Sequence, residues 1–308
     1  MNASNRFLVK RWTAIGLLAA ILLLLPNFAS AAPVTINFGT DGAGNPVIAG
    51  QVLDDEWNTP AYGNMVISSP TNATHPIVAF NSSIPTGGDP DLGSPNQTCP
   101  GGGPGVGVGG VVGAPFENCT SLGMLVIIEE NCPLSTAVGG IITYPSCGAP
   151  GPDDNGGANG PAGGIINFTF GTTVDDQVTI ESFELLDFED PAGAGGVTVN
   201  AYAFDGTLVA TFAAPAIGDN GSAIVDVTFA GSNLPWAGVS RVEFVLEGSG
   251  SVGTLSYETP APTAIGLDAI SIRSDATYYG IVAFLTLAAL SLTSVAYLRR
   301  ERLVEVRS

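Results

Sequence analysis

The side chains with chemistry to offer in this chain are carboxylates, set in clusters on backgrounds of Gly, Asn and Pro. GGDPDLG (87–93) spaces Asp89 and Asp91 across a proline, and PDDNGG (152–157) carries Asp153-Asp154. Asp41, Asp54-Asp55-Glu56, Glu129-Glu130 and Asp187 with Glu189-Asp190 form the other groups. Calcium takes six to eight oxygens, many of them backbone carbonyls, so loops of this composition suit it. The same residues also make turns for purely conformational reasons. We expect at least one calcium, with Asp89 and Asp91 meeting Asp153 and Asp154 at one edge of the domain.

Other chemistries have less support. The single histidine, His75 in NATHP, stands before a proline at a strand entrance, where a structural turn residue is usual. A Ser–His–Asp triad would have to use it. A carboxylate-dependent glycoside hydrolase needs two acids at a set separation, and nothing in the spacing selects a pair. No catalytic residue is assigned, and the chain reads as a non-enzyme. Trp57 and Trp236 are candidate sugar-stacking residues, with Tyr62, Tyr202 and Tyr257 behind them. Half-buried core is the alternative role for each.

Charge narrows the partners. The chain carries −19 overall, but its nine basic residues crowd the two ends. Between 32 and 277 only Arg241 and Arg273 face 26 acids, a net of −24 with no lysine. Phosphate neutralisation needs Lys or Arg, so nucleic acid is excluded as a partner. The glycine-rich runs 101–113 and 148–164 lack GxxxxGK[ST] and precede no helix, which excludes a nucleotide loop. They read as long loops, functional or partly disordered.

The ends are targeting elements. Arg6, Lys10 and Arg11, the apolar run 13–25 and small residues at Ala29 and Ala31 form a signal peptide over 1–31. Residues 278–298 are uncharged over a length that spans a bilayer, and Arg299, Arg300 and Arg302 hold the tail (299–308) in the cytoplasm. The expected protein is therefore a bacterial cell-surface ectodomain (32–273), a short linker (274–277) and a single C-terminal membrane anchor. A C-terminal sorting tail removed by a processing enzyme is the alternative, although no LPxTG or PEP-type motif precedes the helix.

The elements that must position the acids are strands. Short runs rich in Val, Ile, Thr and Phe recur between Gly, Pro, Asn and Asp: VTINF (34–38), MVIS (65–68), PIVAF (76–80) and MLVIIEE (124–130). They continue through IINFTF (165–170), VTIESFELLD (178–187), VTVNAYAF (197–204), TLVATF (207–212), AIVDVTF (223–229), RVEFVLE (241–247) and LDAISI (267–272). That rhythm predicts an all-β, antiparallel sandwich or barrel in one domain. Asp205-Gly206 predicts a two-residue type I′ hairpin turn, and RVEFVLE alternates as a strand with one buried face. The cysteines Cys99, Cys119, Cys132 and Cys147 lie in the exported part and read as two disulfides. A Cys119–Cys132 bond would close across the 123–130 strand, which is too long for it. Cys99–Cys119 with Cys132–Cys147 is the preferred pairing, and Cys99–Cys132 with Cys119–Cys147 the other.

Four stretches are distinctive together: FNSSIPTGGDPDLGSPN, GGGPGVGVGGVVGAPFEN, LGMLVIIEEN and DDNGGANGPAGGIINFTF. With the DG hairpin and the GSGSVG and GLDAISI endings, the chain over 35–272 resembles a group of secreted bacterial surface domains. Their pattern runs PTGGDxDLGTPN, GNVLIIxED, DPDDNxxGG. The resemblance implies a jelly roll like that of lectins or carbohydrate-binding modules, and a glycan or cell-envelope partner. It also implies a structural calcium between the first and last strands, held here by Asp41 and Asp268. The cysteines, Ala269 and the TLSYETPAPTA interruption depart from the pattern. The function expected is a calcium-stabilised binding or adhesion module. A coat component assembled through calcium bridges is the alternative.

Overall fold

The computed structural model describes residues 32–70, 75–85, 89–147, 149, 151–152, 163–188, 197–214, 216–227 and 236–260. All belong to the compact unit Ser30–Ala261. The signal peptide, the strand expected at 267–272, the linker, the membrane helix and the tail lie outside these residues. Among the described residues no helix is long and apolar enough to cross a membrane.

Two antiparallel sheets face each other. The larger contains β1 (Ala32–Ile36), β3 (Ile77–Asn81), β4 (Met124–Ile128), β8 (Val178–Leu186), β11 (Ser222–Asp226), β12 (Trp236–Val239) and β14 (Ser251–Thr259). Its path runs β11-β8-β14-β4-β3, with β1 beside β14 and β12 beside β8. The smaller runs β10 (Leu208–Ala213), β9 (Val197–Tyr202), β13 (Arg241–Leu246), β7 (Gly164–Thr169), β2 (Val66–Ser68). A short ribbon pairs β5 (Ala137–Val138) with β6 (Ile141–Ile142).

Alternation decides which side chains fill the space between the sheets. Val242, Phe244 and Leu246 of β13 point inward, as the sequence pattern predicts, and Arg241 and Glu243 point out. Phe244 meets Phe183 of the opposite sheet edge-on, with ring centroids 5.2 Å apart. Phe170 packs on Tyr257 at 4.8 Å.

β3 and β4 obey a different rule because both of their faces are covered. Ala79, Val126 and Ile128 join the central core, while Val78, Phe80, Leu125 and Ile127 enter a second apolar cluster with Leu92, Ile142 and Tyr144. The connections after β3 and β4 therefore fold over the outer face of the larger sheet. A strand buried on two faces reads as a continuous apolar run, which is how MLVII reads. The disulfides Cys99–Cys119 and Cys132–Cys147 pin this covering layer, with Cα separations of 5.4 and 5.6 Å. They are the preferred pairing.

The hairpin between β9 and β10 forms, with a different turn. Gly206 N donates to Ala203 O at 3.0 Å and Ala203 N to Thr207 O at 2.8 Å. Of the DG pair only Gly206 takes positive φ, at 83°. Phe204 and Asp205 thus occupy the centre of a type I turn closed by a glycine bulge, rather than a type I′ turn. The Asp205 carboxylate accepts Thr207 N at 2.9 Å, which favours this geometry.

Candidate functional site

Asp91 lies in the short 3-10 turn Pro90–Leu92, which Asp89 directly precedes. A carboxylate oxygen of Asp91, one of Asp187 and one of Asp219 lie within 4.8 Å of one another. Atoms bound to one calcium at the usual 2.3–2.6 Å lie at most about 5 Å apart, so the spacing fits a shared ion. Asp187 directly follows β8 and is fully buried. It accepts Asn220 N at 2.5 Å through Oδ1 and Ser249 Oγ at 2.9 Å through Oδ2. Asp219 arrives on the loop GDNGS (218–222) that leads into β11.

Backbone geometry holds these loops together. Asp187 and Asn220 both take left-handed φ, 64° and 62°, a region that Asp and Asn tolerate better than other side chains. Asn220 Nδ2 donates to Asp91 O and, at 2.7 Å, to Gly93 O. Asn96 Nδ2 donates to Asn220 Oδ1 at 2.7 Å and to Gly107 O at 3.0 Å. Asn118 Nδ2 reaches Gly93 O at 2.9 Å, while the buried Asn118 Oδ1 has no partner among the described residues.

The glycine-rich run supplies the close approach that this network needs. A Cβ on Gly93 would stand 2.7 Å from Gly105 Cα, and one on Gly109 2.8 Å from Ile217 O. On Gly107 it would collide with the Asp219 carboxylate, and on Gly110 with Asn220 O. The run 101–113, read as a long loop that is functional or partly disordered, is a loop packed tightly as a wall, with Gly109 N donating to Asp219 O at 2.8 Å.

Arg241 is the only Lys or Arg among the described residues. Its guanidinium lies 4.3 Å over the Tyr202 ring and 4.0 Å from Glu243.

The other expected site residues fall as follows. Asp89 is buried but outside the three-carboxylate group. Asp153, Asp154 and Asp268 lie outside the described residues, so the partners seen for Asp91 are Asp187 and Asp219. Asp41 closes its own loop, accepting Ala43 N, Asn45 N and Asn45 Nδ2 at 2.7–2.9 Å. Those bonds, the Asn45 side chain first, hold its carboxyl below the usual Asp value. His75 Nδ1 sits 3.0 Å from Glu129 O, at the strand entrance.

The two tryptophans correct the sugar-stacking expectation. Trp57 and Trp236 are 1% and 5% exposed, so neither ring presents a face to a ligand. Trp57 is held edge-on by Phe38 at 5.3 Å and donates Nε1–H to Thr40 O. Trp236 packs against Phe183. Both are core because each lies where loops or strands close over the sandwich. Tyr257 is buried too, whereas Tyr62 and Tyr202 are half-buried.

Asp187 was visible as part of an acidic cluster, but Asp219 was not singled out. Its signal is the GDNG composition shared with the other calcium-like loops.

No family model matches the chain, and no curated protein matches it in sequence. Among solved structures it is similar to a His 62 mutant of the lectin binding domain of Lectinolysin complexed with Lewis b, at 9% identity and TM-score 0.22. That match covers 34% of this chain and 70% of the other. It is also similar to a Streptococcus pneumoniae fucose binding module, at 13% identity and TM-score 0.21, covering 36% and 77%. Scores this low carry no argument about fold or ligand. What the geometry defines is a two-sheet antiparallel sandwich with a disulfide-pinned covering layer and a three-carboxylate cluster at the seam of its loops.

Proposed function

We propose that the protein is an exported, membrane-anchored binding module of the bacterial surface, a jelly-roll-like sandwich whose covering layer is locked by calcium. The observation that carries this reading is the Asp91–Asp187–Asp219 group, packed against glycines so closely that a Cβ on Gly107 would strike Asp219. Calcium would be held by these three carboxylates and would screen their mutual repulsion. It thereby ties the Pro90–Leu92 turn, the end of β8 and the loop before β11 together. The ligand class is glycan, as the resemblance to secreted surface domains implies.

Thermal unfolding of the full chain in detergent tests the calcium step. Ligand that binds only the folded state adds about 2.7 kcal/mol at a hundredfold excess over Kd. Calcium is therefore expected to raise the Tm of the wild type relative to EDTA, while Asp219→Asn loses the shift and Asp41→Asn keeps it. An unchanged wild-type Tm, or a shift that survives Asp219→Asn, overturns the site. Size-exclusion chromatography separates the module from a coat component: a monomer with and without calcium supports the module, and calcium-driven assembly supports the coat.

A further inference from the structure

A second feature, lined by none of the three carboxylates, has a different chemistry. Where β9 turns into its hairpin and β13 begins, a cavity of about 230 Å³ opens between Thr169, Gly171, Tyr202, Phe204, Ser240 and Arg241. Ligand pockets for drug-sized molecules start near about 300 Å³, so this one takes a single ring.

Its walls combine a cation, an aromatic face and hydroxyls. Phe204, at the hairpin tip, is 51% exposed. The type I turn puts a large apolar side chain in solvent at a position that fold stability does not require. Arg241 lies directly opposite Tyr202 in the β9–β13 register, and the Arg241 side chain is 39% exposed. Its buried Nε has no acceptor among the described residues. Glu243 stands 4.0 Å away, with its Oε1 already accepting Tyr202 Oη at 3.1 Å and Asn200 Nδ2 at 3.3 Å. The guanidinium is thus fixed by stacking and retains donor capacity. Backbone is fixed as well: Ser240 N donates to Tyr202 O at 2.8 Å and Phe170 N to Ser240 O at 2.7 Å.

We infer that this pocket binds one neutral pyranose ring of a glycan. Guanidinium donors meet ring and hydroxyl oxygens, the Thr169 hydroxyl exchanges a further hydrogen bond, and the C–H face of the sugar lies on Phe204. A uronate fits less well, because its carboxylate would join Glu243 beside the same guanidinium, in a region carrying −24. The assignment deepens the glycan reading and is independent of the calcium site.

Saturation-transfer NMR on the full chain in detergent tests it, with the methyl glycosides of galactose, glucose, mannose and fucose, and methyl glucuronide as the acidic probe. Transfer is expected to at least one neutral glycoside, with a tenfold or greater loss of affinity in Arg241→Gln and in Phe204→Ser. The exposed Phe204 makes the second variant safe for folding, which an unchanged Tm verifies. Transfer that survives both substitutions overturns the pocket and leaves the glycan reading standing. Transfer to the glucuronide alone overturns the neutral class. No transfer to any probe overturns the pocket, and if an array of intact glycans is also silent, the glycan reading falls with it.

Discussion

Gly107 shows how much of the candidate metal centre depends on the absence of a side chain. Its φ is not left-handed, so alanine meets no backbone strain there, but its Cβ would strike the Asp219 carboxylate, the Asp219 carbonyl oxygen and Asn220 Cβ. Overpacking of this kind costs about 1–3 kcal/mol. Gly107→Ala is therefore expected to lower the Tm and to abolish the calcium shift as well, because relief comes by displacing Asp219. A variant that is destabilised yet still responds fully to calcium would separate the glycine wall from ion binding. Asp91 was legible as a ligand candidate because it sits in a short loop of Asp, Pro and Gly. Its partners were not, since Asp187 and Asp219 come from far along the chain and are brought in by backbone packing between loops. Local composition carries no record of such contacts.

Strands were legible in proportion to how regularly they alternate. β13 shows one apolar face in sequence and in space, and β4 shows the uninterrupted run of a strand covered on both sides. Most of β14, from Thr254 on, was read as part of the TLSYETPAPTA interruption, yet the strand lies between β8 and β4 and also pairs with β1. Its first half, Ser251-Val252-Gly253, lacks a β-strand's usual bulk. The reason is Glu184 on the neighbouring strand: a Cβ on Gly253 would stand 2.7 Å from Glu184 Oε2, the oxygen that accepts Thr254 N and Oγ1. Glycine is used there for close approach. The second half carries Tyr257, whose hydroxyl donates to Tyr62 O at 2.9 Å. Burial, and then the nearby Tyr62, push that phenol far above its ordinary value, so it remains a donor at any working pH. Tyr257→Phe leaves the Tyr62 carbonyl without this donor and should cost about 1–3 kcal/mol, read from the urea midpoint at an unchanged m-value. A neutral substitution would mean that water replaces the hydroxyl. Loss of the Cys132–Cys147 bond, which closes 15 residues, should cost about 3 kcal/mol. Cys132→Ser with Cys147→Ser tests this in the same assay.

On the scale of the whole molecule, two electrostatic effects oppose each other as pH falls. The region 32–277 repels itself through a net charge of −24, and protonating carboxylates relieves that repulsion. Against this, Asp41, Asp176 and Asp205 have folded-state values below the ordinary Asp value of 3.8. Each is lowered chiefly by local hydrogen bonds: Asp41 by Asn45, Asp176 by Thr172 N and the Thr173 hydroxyl, Asp205 by Thr207. A depressed carboxyl stabilises the fold above its unfolded value, and that contribution is lost as pH drops from 3.8 through the folded value. The two effects act in different windows, since most exposed acids begin to protonate before these three. In EDTA at low salt, the Tm is therefore expected to hold or rise from pH 7 to about 4.5 and to fall below about 3.8. Salt of 0.1 M shortens the screening length to about 10 Å and should raise the Tm at pH 7 while flattening the acid-side rise. Calcium should do the same at pH 7 at far lower ionic strength, since it acts at one group of carboxylates rather than on the whole field. A Tm that declines steadily from pH 7 to 5 in EDTA would mean that ionised carboxylates hold this fold together more than they strain it, and that the −24 is compensated locally throughout.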